Sequence, residues 1–142
     1  MPRLAILNFI IGFAVLFLAA SGGSFVAFDM TEGYLRDPEL LHTWQMALLK
    51  SSHGHTNLFA MLHILFGLTL AYSPLPHKYK VYQTIGFFTG CLAMGPGMMA
   101  RAYAGPSESL DPLGILIGIG LSGTLVALLL HCCALAYKLK ER

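Results

Sequence analysis

The chain has 142 residues, 56% of them hydrophobic and 11% charged, with a formal net charge of +2. A soluble domain carries roughly a quarter charged residues, so this surface cannot all face water, and so small a charge gives no footing for nucleic-acid binding. The composition predicts a single integral membrane domain over residues 1–142, all-α, in contact with the lipid bilayer.

Four apolar stretches succeed one another, at residues 4–28, 52–72, 82–102 and 112–137. Each reaches the ~20 residues that a helix needs to cross a bilayer. The first is too long for the apolar region of a signal peptide, and more apolar residues follow Ser21, Gly22, Gly23 and Ser24. Cleavage after Ala20 would leave three spans and is the lesser alternative. In the link at 29–51, Pro38 can start a helix, and Leu40, Leu41, Trp44, Leu48 and Leu49 give it an apolar face. The expectation is an outer interfacial helix between spans one and two, or its continuation into span two.

The link at 73–79 holds Pro74 and Pro76 and reads as a tight turn; that at 104–111 holds Gly105 and Pro106 and is also short. Short links force neighbouring spans to lie antiparallel, which predicts an up-down-up-down four-helix bundle. Gly95, Pro96 and Gly97 should break span three. Gly86 with Gly90, and Gly114 with Gly118, have the spacing that lets helices approach closely, within one chain or in a homodimer.

Charge sets the expected orientation. Arg3, then His77, Lys78 and Lys80, then Lys138, Lys140 and Arg142 lie on one side; Asp29, Glu32, Asp37, Glu39, Glu108 and Asp111 outweigh Arg36, Lys50 and Arg101 on the other. The positive-inside rule then places both termini in the cytoplasm and the His53/His55 end outside, which in a bacterial inner membrane is the periplasmic face.

Chemistry concentrates in span two, which opens on His53, Gly54, His55, Thr56 and Asn57 and contains His63. Imidazole is costly to bury in lipid and is a common ligand of haem iron, copper and zinc. At about 100° per residue, His53 and Asn57 share a face whereas His53 and His55 lie roughly 160° apart, so the three histidines cannot meet on one ion. A haem b needs imidazole, an apolar slot, small residues beside the ring and a cation near its propionates. His53, His55 and His63 supply ligands; Gly54, Gly67, Gly90, Gly95 and Gly97 supply space; Arg101 supplies the cation. A second axial ligand is the weak point, since His131 lies roughly 12 Å deeper than His63 at 1.5 Å per residue.

Two other readings stay open. If the outer helix continues into span two, His42, Met46, Leu49 and His53 form one stripe that with His55 would make an outward-facing copper or zinc site. Alternatively the chain is a cofactor-free accessory subunit whose glycine faces dock onto a larger respiratory-type complex. Cys91, Cys132 and Cys133 read as packing residues, with a site at His131, Cys132 and Cys133 as the alternative. No carboxylate lies in a span interior, and no hydrolase nucleophile set or phosphate-binding loop is present, so the chain reads as no enzyme on its own.

The segment His53-Gly54-His55-Thr56-Asn57-Leu58, with Gly67 and Leu68 further on, resembles the H-x-H-x-N-L helix of small four-span bacterial proteins likened to cytochrome c oxidase subunit I. Met94-Gly95-Pro96-Gly97 is similar to the Pro-Gly break in their third span. The resemblance implies haem b on a histidine of the pair, with Asn57 positioning a helix or a water. It does not imply oxygen reduction, because an oxidase subunit needs about a dozen spans, a second haem and a copper site.

Overall fold

A computed structural model describes residues 2–107 and 111–140; Glu108 and Arg142, counted in the charge asymmetry, lie outside them. Among the described residues every regular element is helical. These are α1 (Arg3–Arg36), a 3-10 helix (Pro38–His42), α2 (Trp44–Thr69), α3 (His77–Leu92), a π-helical turn (Ala93–Gly97), α4 (Met98–Ala104) and α5 (Pro112–Lys140). Because the π turn joins α3 to α4, the chain makes four rods. Each predicted apolar stretch is helical, and two helices, α1 and α5, are long and apolar enough to cross a membrane.

The expected interfacial helix is replaced by two pieces. Asp37 ends α1 in an extended conformation, and its carboxylate accepts from the Glu39 amide at 3.1 Å to start the 3-10 turn. The Thr43 hydroxyl then accepts from the Met46 amide at 3.3 Å, so α2 begins at Trp44. Nothing between Trp44 and Ser52 breaks a helix, and the outer segment is therefore the first turns of α2 itself. The break at Pro96 takes the form of the π turn. Proline has no N–H to give the preceding turn, and the Ser52 hydroxyl donates to the Gly95 carbonyl at 2.8 Å from α2.

The rods run antiparallel. Along α1 and α2, Ala5 faces Gly67, Gly12 faces Ala60 and Ile64, and Gly23 faces His53. Gln83 and Gly86 of the third rod meet Ala127 of α5, Gly90 meets Thr124 and Ala93 meets Gly120, in the same reversed order. The Gly86/Gly90 pair is thus used within the chain. A Cβ on Gly90 would sit 1.8 Å from Thr124 Oγ1, whereas one on Gly118 would meet nothing within 4 Å. Two buried clusters result, Leu4, Ala5, Phe66, Leu70, Phe87 and Ala127 nearer the termini and Phe59, Cys91, Met94 and Met98 further away.

The distribution of polarity is inverted relative to a water-soluble bundle. Asn8, Ser52 and His63 are completely buried, with Gln83, Thr84, Thr124 and His131 nearly so. Large apolar side chains face outward on all four rods, among them Phe13 and Phe17, Leu65 and Leu68, Tyr82 and Ile85, and Leu116 and Ile119.

Candidate functional site

The six predicted site residues fall into three separate places. His63 lies at the centre of the bundle. Asn8 Nδ2 donates to the Leu4 carbonyl at 2.8 Å and to Thr84 Oγ1 at 3.0 Å, so its Oδ1 is left to accept from His63 Nδ1–H at 2.9 Å. Thr84 in turn donates to the Lys80 carbonyl at 3.0 Å. One buried network thereby ties α1, α2 and α3 together. This fixes the tautomer of His63, and its bare Nε2 has no hydrogen-bond partner among the described residues. The Phe87 and Phe88 rings pack beside it, with centroids at 6.0 and 6.4 Å.

His131 repeats the pattern nearer the termini. The Thr69 hydroxyl donates to the Leu65 carbonyl at 2.9 Å, which leaves its lone pair to accept from His131 Nε2–H at 2.8 Å. His131 Nδ1 and Gln83 Oε1 are the other buried atoms without a partner among the described residues. Phe66 packs edge-on to His131 at 4.8 Å. His131 does not join Cys132 and Cys133, both of which are exposed.

The second place is the start of α2. Asn57 Nδ2 donates to His53 Nε2 at 3.2 Å, so the His53 proton is on Nδ1. The His53 ring lies against Gly23 of α1, where a Cβ would come within 2.3 Å of Cε1. His55 points to another side, as the helical rotation predicts. Its Nδ1–H donates to the Ser51 carbonyl at 2.7 Å, beside Ser51 Oγ at 3.1 Å, which leaves Nε2 unoccupied by that bond. Next to it Gly54 faces open space. His42 belongs to the 3-10 helix and is separated from α2 by the Thr43 cap, so the His42–Met46–Leu49–His53 stripe has no helical continuity. Among the described residues no group of three or more His, Cys, Asp or Glu side chains comes together as a metal site.

Arg101 forms the third place. Its Nε pairs with Asp111 at 2.6 Å, its Nη1 donates to the Gly105 carbonyl, and its guanidinium stacks over the Trp44 ring at 5.0 Å. Asp111 also accepts from the Gly114 amide at 3.0 Å, capping α5. Arg101 therefore locks α4, α5 and the start of α2 together, and a propionate would have to compete with Asp111 for it.

These contacts set the space beside each histidine. The cavity at His53 is about 180 Å³, below the ~300–1,000 Å³ of usual ligand pockets. Gly67, Gly90, Gly95 and Gly97 are packed against Ala5, Thr124, Thr56 and Ile117, so they hold helices together and leave no slot between them. Two wider grooves of about 340 and 410 Å³ contain no histidine. On the outward side of α2, His55 stands beside Gly54, which faces open space, and near the exposed Leu58, Met61 and Leu65. Comparison with protein-family models, with curated proteins and with solved structures found no match.

Sequence reasoning missed Asn8, Gln83, Thr84 and Thr124. A signal for the first was present, since an asparagine inside an apolar stretch needs a partner as much as a histidine does.

Proposed function

We propose that this chain is a four-span membrane protein with both termini cytoplasmic, binding haem b on the outer half of α2 and acting in electron transfer or in sensing or handling of a diatomic gas. The inverted polarity supports the four spans. α2 and the broken α3–α4 rod turn Ser52, His63, Gln83 and Thr84 inward and Leu58, Met61, Leu65, Ile85, Phe88 and Leu92 outward. Arg3, His77, Lys78, Lys80, Lys138 and Lys140 gather at the end of the bundle that holds the termini, as a cytoplasmic face requires.

One observation carries the haem reading: His55 is held through Nδ1 by a backbone carbonyl, beside an open glycine, on an apolar helix face. Ligating imidazoles are held in this way, with the far nitrogen bonded and the near one bare. His55 would hold the group through Nε2, Ser51 would fix its ring, and Gly54, Leu58 and Met61 would offer the flat apolar surface. Haem bound there supplies a one-electron centre or a gas-binding iron. His55 of a second copy of the chain would supply a further imidazole to hold the same group.

Absorption spectra of the purified protein, oxidised and dithionite-reduced, test the reading. A Soret band with sharpened α and β bands on reduction is expected, lost in His55→Ala and kept in His53→Ala. A colourless protein made with ample haem supply would overturn it. The second reading, a cofactor-free accessory subunit, draws on the same structure, since interior glycines are filled and Arg101 is fully engaged. The copper or zinc reading loses support with the broken His42 stripe.

A further inference from the structure

The cavity at His53 lies between α1, α2 and the π turn, and no part of the haem reading uses it. Leu18, Ala19, Val26, Leu49, Pro96 and Met99 give it apolar walls, and no charged side chain lines it. An apolar cavity of roughly 150 Å³ suffices for benzene, so about 180 Å³ admits a single six-membered ring with small substituents. Leu18 is largely exposed on the bundle surface, so the cavity borders the face that lipid would cover.

Its hydrogen-bonding capacity is narrow. Ser52 and Thr56 reach it, but their hydroxyls already donate to the Gly95 and Ser52 carbonyls at 2.8 and 2.7 Å. His53 Nε2 accepts from Asn57, and its Nδ1–H is therefore the donor not committed elsewhere. Gly23 is what allows the imidazole to lie at this wall, because any larger residue would strike the ring. At Gly22 an added Cβ would meet nothing within 4 Å, so there the cavity wall is bare backbone.

We propose that this cavity binds the ring of a lipid-soluble quinone, one carbonyl oxygen accepting from His53 Nδ1–H and the tail leaving past Leu18 into the bilayer. The features select a neutral, flat, membrane-dissolved ring with an acceptor at its edge. They reject anions, for which the lining offers no cation.

The test uses the full chain in lipid nanodiscs, ¹⁵N-labelled at histidine, titrated with duroquinone and separately with durene. Durene is the hydrocarbon of the same outline, and the fully substituted quinone ring does not add to the free cysteines. Duroquinone is expected to move the His53 Nδ1 resonance saturably, and durene to bind at least tenfold more weakly. His53→Phe should reduce duroquinone binding to the durene level. Gly22→Leu, which grows into open space, should abolish binding of both while the helix content stays unchanged. Equal binding of the two probes would overturn the proposal in favour of a nonspecific apolar cavity, and so would no saturable binding of either. Both readouts are independent of any haem absorption, so failure here leaves the His55 reading standing, and the reverse holds as well.

Discussion

The half of the bundle near the termini and the half near Trp44 handle buried polarity differently. In the first, Asn8, His63, Thr84, Thr69 and His131 are bonded to one another across helices, with Phe66 and Phe87 filling the space between. In the second, apart from the Ser52 bond to the Gly95 carbonyl, the polar groups bond within their own helix or hold a helix end. His55 turns back to Ser51, Asn57 reaches His53 one turn away, and Arg101 clamps Asp111. A cross-helix network fixes the fold, and the Nε2 that it leaves bare on His63 is buried beside Phe87 and Phe88. Local bonds orient a ring and leave its other nitrogen available. Burial alone is therefore a poor guide to function here, since His63 is the most buried histidine and is bonded across helices to Asn8.

If that contrast holds, substitutions in the packed seam should cost most. Gly90→Val forces methyl groups into Thr124 and Phe59, both fixed within the seam, and overpacking of this kind costs about 3 kcal/mol or more. A fall in the unfolding midpoint in mild detergent reads it, and Gly118→Ala, in open space, is the control that should leave the midpoint level or slightly higher. Asn8→Leu comes next. It strips the partner from His63 Nδ1 and from Thr84, and a buried donor left unmade costs about 1–3 kcal/mol. The double variant Asn8→Leu/His63→Phe should recover much of that loss, because it removes both ends of the bond. A double as unstable as the sum of the single changes would show that the network is not the unit described.

Much of this architecture was legible in the sequence, and the reasons are physical. Apolar stretches of sufficient length fixed the four rods, and Pro96 fixed the break. Asp37 and Thr43 could have placed the α2 start, but they were outweighed by the apolar face of Leu40, Leu41 and Trp44. The angular separation of His53 from His55 followed from helix geometry alone. Which side each histidine faces did not, because that depends on where α1 lies, and α1 is placed by contacts such as Gly12 on Ala60 and Gly23 on His53. The glycines were readable as close-approach points but not as already filled ones. Arg101 looked like a free cation because its partner, Asp111, sits across a turn in the next rod.

At the Trp44 end the largest effect should come from that clamp. Arg101→Lys keeps the charge but loses the fork that serves Asp111 and Gly105 together and the flat stack on Trp44. Lysine does not reproduce either geometry, and a loss of about 1–2 kcal/mol is expected. Hydrogen exchange should localise it, with faster exchange in α4 and the first turns of α2 and α5 and little change around His63.

The smallest effect on stability should be His55→Ala. The side chain is half-buried, and its hydrogen bond is to a carbonyl of its own helix, so the unliganded protein should stay within about 0.5 kcal/mol of the parent. Alanine is also the better helix former, which offsets part of what the imidazole contributed. Any bound group held through that ring should nevertheless be lost, so the midpoint of the haem-loaded parent should fall to that of the unliganded one. His63→Ala makes the opposite expectation: it opens a cavity and orphans Asn8, so the unliganded midpoint itself should drop. Measured side by side, the two variants separate a histidine that holds the fold from one that is held by it. A His55→Ala protein as destabilised as His63→Ala would place both imidazoles in the same structural seam and dissolve the distinction between the two halves.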